Sequence, residues 1–466
     1  MATRKQVILF GPIPRDVTDT LILKRDYTHR IGAPLSILAV ASLAMKNGYD
    51  VKIVSGAESN YLDRLEQLLK NDTLCLGISS MTGSQINQGL KISRYFREHF
   101  PGRPIIWGGF HPSILPEQTI LSPYVDFVIR GYGEYPFLKL LQAIELDRGY
   151  ESVPNLTFIL SGTIIHTPEA EIEKLEMYPP LPYELLDLPL FLTKELGERT
   201  LAYISSRGCV NHCRFCADRT VYKGRWNALP AERVIEDITY LKQTYNIDSI
   251  RIYDSNFFID EQRVAKICRG LLERNLKISW GRANGSIELL NRYSEETWEL
   301  MVASGCSTLL VGAESGYDIA LKRINKRANL EDLNKFIALS NSYQIGVIYS
   351  FMLGIPIDLK DPVEQRRHFM KELSLTLNLI ERINEESKGP VQTLPFRFTV
   401  YPGNPIYDEC KEAGWPEPKS LEEWSNITLD SSPTPWLTSE EISLLDAAIR
   451  LVIRASPTLR AGRTQV

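Results

Sequence analysis

The stretch LAYISSRGCVNHCRFC (Leu201–Cys216) runs from an apolar strand directly into three cysteines, Cys209, Cys213 and Cys216. A tetrahedral zinc site takes four protein ligands, and an ordinary iron–sulfur cluster takes four thiolates. His212 lies in the loop itself, Cys268 falls inside a helical pattern, and Cys306 and Cys410 follow no ligand-like spacing. Either a fourth ligand comes from elsewhere in the chain, or one metal position is left open.

Downstream, further apolar strands are predicted in SIRIYDSNFF (249–258), KISWGRANG (277–285), TLLVGAESG (308–316), IGVIYSFMLGIP (345–356) and PFRFTVYPG (395–403). Amphipathic patterns such as AERVIEDITYLKQTY (231–245) separate them and predict helices. Six such strand–helix units are fewer than the eight of a closed barrel, so residues 198–415 predict a partial (β/α)6 barrel. The cysteines follow its first strand. They therefore lie at the carboxyl end of the sheet, where barrel chemistry is built.

Upstream, QVILFGP, DVKIVSG, TLCLGISS, RPIIWGG and VDFVIRG alternate with helical patterns, of which APLSILAVASLAMKNGY is the first. The alternation predicts a Rossmann-like, doubly wound parallel sheet over residues 1–147, in an α/β chain overall. Its strands end in small-residue turns, GISSMTGS, WGGFHPS and RGYGE, which is where ligands of such sheets sit. No G-x-G-x-x-G follows the first strand, so a dinucleotide site is a poor fit. Residues 148–197 read as a Pro-rich linker with a small hairpin, and 416–466 as a C-terminal helical region.

The bulk numbers set limits on function. With 466 residues, 44% hydrophobic and 24% charged, the chain has ample material for two or three domains. A net charge of −4 gives no case for nucleic acid, and the basic run KRINKRAN (322–329) is short. The apolar run near the amino terminus is too short for a membrane span or a signal segment. Seven cysteines, an odd number with no secretory signal, argue for metal binding in a reducing, cytoplasmic setting.

The Cys-x3-Cys-x2-Cys loop, with Phe215 before its last cysteine, resembles the radical S-adenosylmethionine (SAM) superfamily. That resemblance implies a [4Fe–4S] cluster held by Cys209, Cys213 and Cys216, with SAM chelating the open iron. Later segments match in order. VGAESG places Glu314 and Ser315 for the amino acid end or ribose of SAM, and INKRAN offers Lys326 or Arg327 to its carboxylate. FMLGIPID offers Gly354 and Pro356 to adenine, while YDSNFF puts Asp254 and Asn256, and GRANG puts Arg282 and Asn284, at strand ends facing SAM or substrate. TVYPGNPIY resembles a Pro-Gly-Thr-Pro segment, with Asn404 as the departure.

The first sheet resembles the cobalamin-binding domain of cobalamin-dependent radical SAM enzymes, the class B methyltransferases among them. The matching positions are Ser79, Ser80, Thr82, Gly108, Gly109, His111, Gly131 and Glu134. No axial ligand to cobalt is expected; His29, in DYTHRIG, is the weak candidate. The resemblance implies methyl transfer from SAM, by way of methylcobalamin, to an unactivated carbon or phosphorus of a small molecule, assisted by a 5′-deoxyadenosyl radical. It also implies an external one-electron reductant such as flavodoxin or ferredoxin. A cobalamin-dependent cyclase, oxidase or rearrangement enzyme shares these motifs. An iron–sulfur electron carrier or metal-binding protein is the alternative of another class.

Overall fold

A computed structural model of the chain describes residues 5–13, 31–68, 72–428 and 431–455. His29 lies outside the described residues. Strands β1 (Gln6–Gly11), β2 (Asp50–Ser55), β3 (Thr73–Ser79), β4 (Ile105–Gly108) and β5 (Phe127–Ile129) pair in parallel in the order 2-1-3-4-5. β1, β3, β4 and β5 are short, almost wholly buried runs, as a sheet covered on both faces requires, while β2 at the edge leaves Asp50 and Lys52 half-buried. The strand order reverses direction between β1 and β3, which opens a crevice at their carboxyl ends.

Two antiparallel strands, β6 (Leu156–Leu160) and β7 (Thr163–His166), extend this sheet beyond β5. Ser161 and Gly162 both take positive φ, 49° and 81°, the conformation a two-residue hairpin needs. The hairpin predicted within the linker is thus part of the first sheet. The rest of that linker, through Tyr183, Leu188 and Phe191, is buried in the apolar core shared by both sheets.

The second sheet is parallel throughout. It runs from β8 (Thr200–Tyr203), past a small ribbon of β9 (Ser206–Arg207) and β10 (Asn227–Ala228), to five further strands. These are β11 (Ser249–Ile252), β12 (Ser279–Gly285), β13 (Cys306–Glu314), β14 (Gly346–Leu353) and β15 (Val391–Arg397). The order β8-β11-β12-β13-β14-β15 is sequential, and β8 and β15 are not paired with each other. The barrel is therefore open. The last strand ends at Arg397, so Thr399–Gly403, expected as strand, is a loop leading into the helix Pro405–Glu412.

Local chemistry fixes the crossover helices. The helix Leu330–Ser342 starts with a reciprocal capping box between Asn329 and Asp332. The helix Pro362–Glu386 starts with Pro362 and with the Asp361 carboxylate accepting two backbone N–H groups.

The end of the chain divides between the two sheets. Trp424 packs against Trp415 and Tyr407 in the core under the first sheet, and its indole N–H donates to Gln118 at 2.7 Å. The helix Ser439–Ala455 instead lies along β15, with Asp446 accepting from Arg397 at 2.5 Å.

Candidate active site

The cysteine loop is held from four sides. Below it, the fully buried Asp254 accepts from the Ser205 N–H (2.6 Å) and from the Ser205 and Ser206 hydroxyls (2.7 and 2.6 Å). Gly208 then turns the chain at φ 79°, and a Cβ there would sit 2.0 Å from the Arg225 carbonyl oxygen. Only glycine fits that position. Past the turn, the Arg214 N–H donates to the Ile324 carbonyl (2.9 Å), and the Asn325 side chain donates to the His212 carbonyl (2.9 Å). The Asn404 amide donates to the Phe215 carbonyl (3.1 Å) while its oxygen caps the helix Pro405–Glu412. The departure at Asn404 thus ties the loop to the end of β15.

All three thiols face one cavity of about 900 Å³. Burial raises all three pKa values, Cys213 to about 11 and Cys216 to about 12; Cys209 adds to the rise at Cys213, and both of these thiols add to it at Cys216. Metal binding displaces the proton from such thiols outright. Cys209 Sγ accepts from the Asn211 N–H at 3.5 Å and the Asn256 amide at 3.9 Å, donors suited to a thiolate. Among the described residues no three His, Cys, Asp or Glu side chains converge closely enough for one metal ion. Three thiols facing one cavity suit a polynuclear cluster whose irons take one each.

Beside Cys213 stands a buried ion pair, with Lys326 Nζ 2.8 Å from Glu314 Oε1. Burial alone would lower the Lys326 pKa, but Glu314 and Cys213 outweigh it and hold the ammonium charged. Glu314 reaches this position from a left-handed backbone, φ 64°, a costly conformation for a residue with a side chain. Gly312 makes room for the pair: a Cβ there would lie 1.9 Å from Glu314 Oε1 and 2.8 Å from Lys326 Nζ. Phe215 and Asn284 also line the cavity, Asn284 donating to the Asp254 carbonyl at 2.8 Å.

The same cavity continues onto the first sheet. Ser79, Ser80, Gly108, Gly109, Gly131 and Glu134 all line it. Gly109, at φ 95°, could carry no Cβ without meeting the Ser80 carbonyl oxygen at 2.7 Å. The Ser80 hydroxyl is buried with no hydrogen-bond partner among the described residues. An orphaned hydroxyl beside bare backbone suits the close approach of a large planar ligand that brings its own polar groups.

Several predicted residues lie elsewhere. Asp254 does not line the cavity, because the three donors at Ser205 and Ser206 turn its carboxylate under the loop. Ser315 is buried away from it, within reach of Thr376 (3.3 Å) and accepting from the Tyr317 N–H. The Gly354 N–H donates to Glu372 and its carbonyl accepts from Trp436, while the Pro356 carbonyl accepts from Arg323. Those backbone groups are spoken for, and neither residue lines the cavity. Thr82 and His111 pair with each other at 3.0 Å, off the cavity. Burial lowers the His111 pKa to about 3, and its ring meets Trp424 edge to face.

Two features were not read from the sequence. Glu134 and Arg207 form a buried ion pair at 2.6 Å, joining the RGYGE turn of one sheet to the residue before Gly208 in the other. Ser286 accepts from both Asn211 (2.7 Å) and Asn256 (2.8 Å), linking the cysteine loop to the ends of β11 and β12. Its place directly after GRANG was the available signal.

Residues 203–370 match the radical SAM superfamily and residues 27–141 match the B12 binding domain. The chain is a radical SAM enzyme with an N-terminal B12-binding domain, and its cofactors are a [4Fe–4S] cluster, SAM and cobalamin. It is similar to an uncharacterized methyltransferase of Pyrococcus horikoshii, 27% identical over 350 residues, 74% of each chain. It is also similar to the anaerobic magnesium-protoporphyrin IX monomethyl ester cyclase of Synechocystis, 23% identical over 67% of this chain and 62% of that one. In fold it resembles the radical SAM methyltransferase TsrM of Kitasatospora setae, whose structure holds cobalamin and a [4Fe–4S] cluster. The TM-score is 0.71 at 13% identity, over 97% of this chain and 89% of that one. These findings give the chain the two domains of a cobalamin-dependent radical SAM enzyme, similar both to methyltransferases and to a cyclase. No helix among the described residues is long and apolar enough to cross a membrane.

Proposed function

We propose that the enzyme moves the methyl group of SAM, by way of its cobalamin, to an unactivated carbon or to phosphorus of a small molecule. One observation carries this reading: a single cavity is lined both by the three thiols with the Glu314–Lys326 pair and by the bare strand ends of the first sheet. When bound, the cluster supplies an electron for SAM cleavage, and the corrin supplies a site that accepts and releases methyl.

The protein's own part is positioning and exclusion of water. Cys209, Cys213 and Cys216 hold three irons and leave the fourth to SAM. Lys326 orients the SAM carboxylate and Glu314 its ammonium group, with Phe215 and Asn284 along the same wall. Ser79, Ser80, Gly108, Gly109 and Gly131 take the cobalamin. Asp254, Ser315, Gly354 and Pro356 hold strand ends and turns in shape from behind. The Glu134–Arg207 pair keeps the two sheets in register across the cavity. The limits at 147, 197 and 415 divide the chain into a cobalamin-binding unit, a linker, a SAM-binding unit and a C-terminal region. An external one-electron protein reductant in a reducing, cytoplasmic compartment completes the reaction.

The test is anaerobic incubation of reconstituted enzyme with deuterated-methyl SAM and candidate substrates, with products read by mass. Methyl transfer yields labelled product with S-adenosylhomocysteine and 5′-deoxyadenosine together. The similarity to the Synechocystis cyclase favours a second reading, radical cyclisation. That reading predicts 5′-deoxyadenosine without S-adenosylhomocysteine.

A further inference from the structure

The basic run KRINKRAN is only partly used by the site: Lys326 turns inward to Glu314, and Arg323 is held by Glu409. Lys322 and Arg327 remain exposed, with no ion-pair partner among the described residues. Two further exposed arginines without such partners, Arg219 and Arg225, belong to the segment that follows the cysteines. Contacts bring the two segments together. Asn325 donates to the His212 carbonyl, the Arg214 N–H donates to Ile324, and Gly224 lies against the His212 ring, its Cβ position 3.6 Å from Cε1. His212 is itself exposed, and the two segments that carry the four exposed cations meet beside it, on the loop that also carries the thiols.

The acids nearby do not cancel this charge. Glu409 is already shared by Arg214 and Arg323, and Glu169 pairs with Lys223. Asp318, Asp408 and Glu412 are exposed on the flanking helices, three acids against four cations that have no ion-pair partner among the described residues. The chain as a whole carries −4, so the patch opposes the sign of the molecule. Clustered charge of one sign steers an oppositely charged partner to the spot and fixes its orientation.

We infer that this face, centred on His212 and edged by Arg219, Arg225, Lys322 and Arg327, is the docking surface for an acidic one-electron carrier protein. The inference rests on the proposed cysteine-bound cluster. Its inner side faces the cavity shared by the ligands, which leaves the thin outer face of the loop as the route for an electron. The transfer is simple in balance. The carrier is oxidised by one electron, the metal centre held by the three cysteines is reduced by one, and no atom passes between the proteins.

The experiment compares reconstituted wild type with the double charge reversal R225E/K322E, using a flavodoxin as the acidic probe. Affinity for the oxidised flavodoxin is measured at low and high salt. SAM cleavage is then driven either by reduced flavodoxin or by dithionite. The reversal should weaken flavodoxin binding by about tenfold at low salt, and salt should weaken wild-type binding far more than the variant's. Dithionite-driven cleavage and iron content should stay within about twofold, as expected for surface changes away from the cavity. Equal affinity in the two proteins, no flavodoxin binding by wild type, or an equal loss with dithionite would each overturn the docking face. Loss of dithionite-driven cleavage in wild type itself would instead sink the cluster assignment, so the two failures are distinguishable.

Discussion

The two sheets meet one cavity with opposite kinds of surface. The first ends in bare backbone: glycines at 108, 109 and 131 and the small hydroxyls of Ser79 and Ser80. The second ends in side chains under tension of charge: three thiols, the Glu314–Lys326 pair, and amides clustered around Ser286. A large rigid ligand is recognised by shape and by backbone that lets it come close. A small charged ligand and a metal centre need donors fixed to within a few tenths of an ångström. The contrast teaches that one wall works by what it leaves out and the other by what it holds.

Cys213→Ala strikes hardest at the second wall. It should abolish both the iron–sulfur absorbance of reconstituted protein and SAM cleavage, while cobalamin retention on the first wall persists. Iron absorbance surviving in that variant would break the comparison at its root. The next largest effect belongs to the first wall. Gly109→Val places a branched side chain at φ 95° against the Ser80 carbonyl and the Ser79 hydroxyl, 2.7 and 2.8 Å from its Cβ. Cobalamin affinity should fall by more than about tenfold, read from the visible spectrum of washed protein, with iron content unchanged. If cobalamin stays, the bareness of that wall has some other purpose.

Much of this contrast was legible in the sequence because it is local. Apolar runs alternating with amphipathic helices define both sheets, and the close spacing of Cys209, Cys213 and Cys216 needs no tertiary knowledge. The orientation of a side chain was not legible, since it depends on competition among neighbours. Asp254 and Asn284 stand at adjacent strand ends, yet Ser205 and Ser206 claim the first while the second keeps a face on the cavity. Gly354 lies in a matching turn, but Glu372 and Trp436, far along the chain, occupy its backbone groups. The Glu134–Arg207 pair is equally invisible, because each residue alone reads as a turn or a helix start.

A subtler change sharpens the second wall. Glu314→Gln keeps the shape of the side chain and removes its charge, leaving Lys326 without its carboxylate. A charge-assisted hydrogen bond is roughly twice as strong as a neutral one. SAM affinity should therefore drop by about tenfold, with iron content and cobalamin retention intact. Isothermal titration with SAM on reconstituted protein gives the number, and an unchanged affinity would leave the pair a structural feature only.

The smallest effect tests where the second wall stops. Glu372 is fully buried behind the Gly354 turn, accepting from the Gly354 and Ile355 N–H groups at 3.0 and 3.3 Å. Burial raises its pKa from 4.5 to about 8, against the lowering pull of those two hydrogen bonds. The folded chain thus keeps a proton that the unfolded chain gives up, and the stability so gained is complete below pH 4.5 and lost as pH rises through 8. Glu372→Gln retains an acceptor for the two N–H groups and cannot ionise, so its melting temperature should fall less between pH 6 and pH 8 than that of wild type. The difference should be a few degrees in a chain of this size, measured by calorimetry. Parallel curves would mean that Glu372 does not titrate in the folded protein. SAM affinity in the same variant should not move, because the turn it supports has its backbone groups committed away from the cavity. A fall in affinity as large as that of Glu314→Gln would return Gly354 to the binding wall and redraw the boundary between groups that touch the ligand and groups that hold the wall in place.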